Sequence, residues 1–385
     1  MALSFTPFRT ALGELVSSPY FRRALLAAVV LPVSLPLLHQ FLLRFVDRRI
    51  GPRCGRFLKL KDGSVRRIVV HGGDSIVGPA KTNGTVVILV GGLGMHATSW
   101  APFQRALETA ISTRAATTLV ASVSYDRAGN GWSPAVESAS HITTIEEMAS
   151  ELYDVMESLN LVSGNLNRPV ILCGHSMAGS IIQARLYQHP ALKVNAIVFA
   201  DPMVSDIDNQ MRIGQEKIRN WMEASAAKEV LKLQLGYGRF VAAPKIVSGT
   251  SGDEVAARLT LPERFDYAFQ ELQPEGYALL VNEYRMVGDA TNKLMKQREA
   301  RTKTGQAPFV LIVEADQFEN FEQVFEVPDD VYSAMRLKAY NAWGRDLCSG
   351  TFGGVWTDKG STHLQVILRP MLVDAVLKAV DSVRC

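Results

Sequence analysis

Four short runs of β-branched and apolar residues recur between residues 85 and 201, with stretches that suit helices between them. "TVVILVGG" occupies residues 85–92, "TTLVASVSYD" 117–126, "PVILCG" 169–174 and "VNAIVFAD" 194–201. A continuous apolar run of this length reads as a strand covered on both faces, as in a parallel sheet. Residues 100–114 and 177–188 suit helices. Within 142–160, Ile145, Met148, Leu152, Val155, Met156 and Leu159 recur at helical spacing, with Thr143 or Thr144 near the cap. Strand–helix alternation of this kind predicts an α/β fold with a mostly parallel sheet and helices on both faces. Just upstream, "RFLKLKDGSVRRIVVHGG" reads as two short strands around the Asp62–Gly63 turn.

The alternation stops at Pro202. Residues 202–307 have mainly helical character, beginning with "NQMRIGQEKIRNWMEA" at 209–224. "PFVLIVEAD" at 308–316 then resumes a strand, "GVWTDKG" at 354–360 adds a short one, and "RPMLVDAVLKAVDSV" closes the chain as a helix. The expected organisation is a core of residues 57–201 and 308–385 with a helical lid, 202–307, inserted between two strands. Such a lid would lie over the carboxyl ends of the strands, where open α/β sheets bind ligands.

Residues 1–56 differ from the rest. An apolar run from Ala24 to Leu38 continues more loosely to Val46, with Arg22 and Arg23 before it and Arg44, Arg48 and Arg49 near its end. Residues 24–46 are expected to associate with a membrane, spanning it or lying in its interface; the competing reading is an arm that docks on its own domain. If the run spans, the heavier positive charge after it places the catalytic part in the cytosol. The sequon at Asn83-Gly84-Thr85 points weakly to the lumenal side.

A net charge of +3 on 385 residues gives no footprint for nucleic acid. Cys54, Cys173, Cys348 and Cys385 form no CxxC pair, so neither a disulfide framework nor a metal site is expected, and no cofactor motif stands out. Cys173 reads as a buried thiol.

The chemistry is expected where "PVILCG" runs into "HSMAGS". A serine hydroxyl needs an adjacent base, and the base an orienting group. A sharp strand–nucleophile–helix turn lifts Ser176 above the sheet, and small neighbours (Gly174, Ala178, Gly179) leave it room. The Met177 N–H at the start of the helix, with the Leu93 N–H in the glycine-rich turn "GGLGM", would form an oxyanion hole.

With "SYDRAGNGWS" at 124–133 the pattern becomes specific. Together with "VVILVGGLGMHATSW", "GHSMAGS", "VFADP" and "GSTHLQVILRPMLVDAVL", it resembles the α/β-hydrolase fold superfamily, in particular its capped lipase- and esterase-like members. The likeness covers roughly residues 57–385, the lid excluded. It implies that Asp126 and Arg127 brace loops beneath the site. It implies that His363 is the catalytic base, although Thr362 stands where the family has glycine. Gly91-Gly92 likewise replaces the family's more usual His-Gly. The acid is open between Asp201, which ends "NAIVFAD", and Asp316, which follows "PFVLIV"; Asp201 is preferred, since the glycine usual three residues ahead of the later acid is Val313 here. His71, His96, His141 and His189 lack a comparable setting, and the side chain of His175 should point away from the nucleophile.

The expected activity is that of a serine hydrolase acting through an acyl-enzyme on a lipophilic small-molecule ester: a carboxylester, lactone or thioester. Tyr237, Phe240, Phe265, Tyr267, Phe269 and Tyr277 could line its acyl pocket or simply pack lid on sheet. Acyl transfer to an alcohol and carbon–carbon bond hydrolysis or lyase chemistry reuse the same constellation. A non-catalytic binding protein on the same fold is the reading from a different class.

Overall fold

The computed structural model describes residues 18–72, 84–114, 120–135, 144–162, 168–189, 193–204, 220, 223–225, 228–299, 307–317 and 328–383. The helix expected at 209–224 falls almost wholly outside the described residues, as do His141, Asn83 and Cys385.

Eight strands form one sheet: β1 (Arg56–Lys59), β2 (Val65–His71), β3 (Thr85–Val90), β4 (Val120–Tyr125), β5 (Val170–His175), β6 (Ala196–Ala200), β7 (Ala307–Gln317) and β8 (Cys348–Thr362). Their spatial order is β1-β2-β4-β3-β5-β6-β7-β8. The β1–β2 and β2–β4 pairs are antiparallel and all others are parallel. Every residue of β3, β5 and β6 is buried, which explains why their sequences lack a polar face. Alternation is still present inside them. Val86, Ile88 and Val90 enter one core, and Val87 and Leu89 the other.

Helices cover both faces. α1 (Pro19–Ile50) precedes the sheet; α2 (Ala101–Ser112), α3 (Ile145–Ser158) and α4 (Ala178–Gln188) are the crossovers. Met148, Leu152, Val155, Ile181 and Ile182 of α3 and α4 fill the first core. Phe103 and Leu107 of α2 join the second. The N-terminus of α3 is fixed by a capping box, in which Thr144 Oγ1 accepts from the Glu147 N–H at 3.2 Å and the Glu147 carboxylate accepts from the Thr144 N–H at 2.8 Å.

Between β6 and β7 the described residues form helices and no strand: α5 (Ala243–Ser248), α6 (Glu254–Arg258), α7 (Leu261–Glu271) and α8 (Pro274–Glu299). Asp266 of α7 ties this excursion to the core, accepting from the N–H groups of Arg53 and Cys54 at 2.9 and 2.8 Å and from the Arg67 guanidinium at 3.0 Å. After β7 the chain makes a helix that the sequence reading left unassigned, α9 (Asp329–Leu347), before β8 and the closing α10 (Pro370–Ser382). β8 is also longer than the 354–360 expected, because it follows β7 along nearly its whole length through register shifts.

α1 corrects the spanning form of the membrane expectation. Among the described residues no helix is long and apolar enough to cross a membrane. Part of α1 is instead covered by the protein's own helical excursion. Pro36 and Gln40 are buried, His39 sits edge-on to Phe240, and Gly236, at φ +79°, lies so close to the Pro36 carbonyl that a Cβ would be 2.1 Å from its oxygen. The opposite face leaves Leu35, Leu38, Phe41, Leu42 and Phe45 each at least half exposed.

Candidate active site

Ser176 follows β5 directly and holds φ 56°, the left-handed region that serine rarely occupies. Three backbone bonds fix it there. The Ser176 N–H donates to the Ala200 carbonyl at 3.2 Å, and its own carbonyl accepts from Gly179 and Met203 at 3.0 and 2.8 Å. Strain held in place by surrounding structure lifts the side chain of Ser176 clear of the sheet. Gly92, on the turn after β3, passes so near that a Cβ there would lie 2.8 Å from Ser176 Cβ. Only glycine lets this turn approach the serine.

His363 follows β8 and reaches back over the sheet. Its Nε2 lies 2.9 Å from Ser176 Oγ and its Nδ1 lies 2.5 Å from Asp201 Oδ2. A carboxylate accepts only, so Nδ1 carries the hydrogen and the Nε2 lone pair faces the serine hydroxyl. Asp201, at the end of β6 with φ 44°, is 3% exposed. Its N–H donates to the Val313 carbonyl at 2.7 Å. Oδ1 accepts from the Ala315 N–H at 3.1 Å and sits 3.1 Å from the Arg336 guanidinium of α9. Burial opposes the charge on Asp201. Arg336, with the hydrogen bonds from His363 and Ala315, outweighs it and holds the carboxyl below the ordinary aspartate range.

Asp316 lies elsewhere. It is exposed, and its Oδ1 accepts from the Gly360 N–H at 2.6 Å, where it trims the β7–β8 pair rather than meeting His363. His175 points neither into solvent nor at Ser176; it lies against His363. Its ring centroid is 4.6 Å from that of His363, and its Nε2 donates to the His363 carbonyl oxygen at 2.8 Å. Burial, with the adjacent imidazole, pushes its pKa down to about 3, so it stays neutral.

Met177 is fully buried at the start of α4, and Leu93 lines the cavity described below. Among the described residues no acceptor takes the backbone N–H of either. The turn that carries Leu93 is braced from below, as the resemblance implied. Arg127 donates to the Gly91 and Gly92 carbonyls at 2.7 and 2.9 Å. Asp126 accepts from the Ala97 and Trp132 N–H groups at 2.6 and 3.0 Å. The sequence reading missed the partner that completes this brace. Glu283 of α8 pairs with Arg127 at 2.8 Å and accepts from the Gly94 N–H at 2.9 Å.

A cavity of about 490 Å³ opens beside the histidine, lined by Thr362 and Leu364 on either side of His363 and by Leu93 and Met95. Of the six aromatic residues considered for an acyl pocket, Tyr267 and Tyr277 line it. Tyr237, Phe240 and Phe265 are more than a third exposed, and Phe269 stacks on Trp132 at 3.8 Å. Three carboxylates also line the cavity: Asp253, Glu254 and Glu271. Among the described residues no group of histidine, cysteine and carboxylate side chains is placed to hold a metal.

Residues 87–347 match the sequence model of the alpha/beta hydrolase family. The chain belongs to that family. No curated protein sequence matches this hydrolase. Among solved structures it is similar to an epoxide hydrolase from Vigna radiata, with 16% identity over 85% of this chain and 97% of that one and a TM-score of 0.53. A Bacillus megaterium epoxide hydrolase aligns over 85% of this chain and all of its own, with 14% identity and a TM-score of 0.53. An enol-lactonase from Burkholderia xenovorans LB400 aligns over 85% and 100%, with 15% identity and a TM-score of 0.49. At such identities the likeness is one of fold.

Proposed function

We propose that this hydrolase cleaves ester-type bonds through an acyl-enzyme on Ser176, with His363 as base and Asp201 as the orienting acid. The observation that carries the reading is the unbroken chain from Ser176 Oγ through both nitrogens of His363 to a buried, ionised Asp201. His363 Nε2 takes the hydroxyl proton as Oγ attacks the carbonyl carbon, and Asp201 steadies the imidazolium that results. The N–H groups of Leu93 and Met177 receive the developing oxyanion. Collapse of the tetrahedral intermediate passes the proton from His363 to the leaving group. Water, activated by the same imidazole, then releases the acid.

Solved structures of similar fold include epoxide hydrolases. Opening an epoxide through an ester to the enzyme requires a carboxylate nucleophile, and the residue at this turn is Ser176. A cavity of about 490 Å³ suits a small-molecule acyl group. Helices α6 to α8, which supply Glu254, Tyr267 and Tyr277 to its wall, serve as the lid over that cavity. The exposed apolar face of α1, with exposed Arg22, Arg23 and Arg49 along the same helix, supports a helix lying in the interface of an anionic membrane.

Labelling with a fluorophosphonate probe tests the reading, because only an activated serine is phosphonylated. Folded protein should label and the Ser176→Ala variant should not. Folded protein that fails to label would favour a non-catalytic binding role.

A further inference from the structure

We propose that Arg336 is a positioning residue of the triad: its guanidinium, fixed behind Asp201, sets the charge against which His363 accepts a proton. The inference rests on the Ser176–His363–Asp201 reading and extends it to a fourth side chain. Arg336 is 4% exposed on α9. It lies 3.1 Å from Asp201 Oδ1, the oxygen that His363 does not use. Its other nitrogen donates to the Ala315 carbonyl and sits 3.5 Å from Glu314 Oε2 on β7. The rings of Tyr332 and Tyr340, one turn to either side on α9, flank the guanidinium, their centroids 5.9 and 5.3 Å from its carbon. The Tyr340 hydroxyl donates to the Pro202 carbonyl at 2.9 Å and lies 3.4 Å from Asp201 Oδ1. Thr357 of β8 donates to the remaining Glu314 oxygen at 2.7 Å.

The charges around the acid are therefore Asp201 and Glu314 against Arg336, with His363 on the far side of Asp201 and neutral His175 beneath it. This buried group carries one net negative charge, and the imidazolium that forms during turnover brings it to zero. Without Arg336 the two buried carboxylates it bridges lose the cation between them. Either the field on His363 becomes more negative, or Asp201 takes a proton as its pKa rises. Both changes demand a higher pH before His363 can serve as a base with an ionised partner. Tethering Arg336 between two strand ends and two tyrosines also fixes the Asp201 carboxylate plane, so that Oδ2 points at Nδ1.

The pH dependence of fluorophosphonate inactivation between pH 5 and 9 reads this directly. Arg336→Met should move the acidic limb upward by about one pH unit or more, as expected for losing an opposite charge within 4 Å. Arg336→Lys should restore most of the wild-type limb. Glu314→Gln removes a negative charge from the same group and should move the limb downward, which keeps the test intact if Arg336→Met does not fold. Wild-type limbs in Arg336→Met, or in Glu314→Gln where Arg336→Met does not fold, overturn the proposal while normal labelling of Ser176 leaves the hydrolase reading standing. Absence of labelling in the wild type overturns both.

Discussion

Glu283 and Gly94 meet across the mouth of the site: the carboxylate, on α8, accepts the Gly94 N–H at 2.9 Å while also pairing with buried Arg127. The turn that supplies the proposed oxyanion donor is thus held from below by the core and from above by the helical excursion. Glu283→Ala would leave Arg127 as a buried cation without its carboxylate, at a cost of about 3 kcal/mol or more. Urea unfolding should show that loss. Glu283→Gln, which keeps an acceptor for Gly94, should retain more stability and lower kcat more than it raises KM.

Ser176→Ala and His363→Ala should each remove nearly all turnover of p-nitrophenyl esters, by a factor on the order of 10⁴. Near-normal activity in purified His363→Ala would remove the base from the proposal.

The two aspartates should separate sharply. Asp201→Asn keeps the shape but loses the charge facing His363 Nδ1, and turnover should fall about 10³- to 10⁴-fold. Asp316→Asn should cost less than about threefold, since that side chain caps the Gly360 N–H and does not reach the histidine. Equal, mild effects would exclude both as the acid.

His175 should make the fold acid-sensitive. Its pKa falls from 6.5 to about 3 on folding. Between those values the unfolded chain binds a proton that the native protein refuses, so stability rises with pH and is lost as pH falls below about 6.5. The loss is roughly 1.4 kcal/mol for each pH unit across that window. His175→Gln should flatten the dependence in denaturant titrations at pH 4 to 7. An unchanged slope would show that the buried imidazole is not its source.

The face of α1 can be tested in the full-length chain. Phe41→Glu with Phe45→Glu should weaken flotation with vesicles containing anionic lipid by about tenfold or more. Hydrolysis of a soluble ester should persist. Equal flotation of both proteins would exclude this face as the contact.

The sequence by itself determined a mostly parallel sheet and the run of its central strands, and, with the family resemblance, marked Ser176 and His363 as candidates. These are local matters: a fully apolar run, a turn short of side chains and a lone histidine between the last strand and helix. It preferred Asp201 but left Asp316 open, because both close adjacent strands and the choice depends on which carboxylate the His363 loop reaches. Tyr332, Arg336 and Tyr340 recur every four residues, a helical stripe visible in the sequence, but nothing local says that the stripe faces Asp201. Nor does a glutamate within a helical stretch announce that it will clasp Arg127, 156 residues away. Partnerships of charge are settled by packing, since a buried carboxylate and a guanidinium find each other only after the sheet has brought distant segments to one edge.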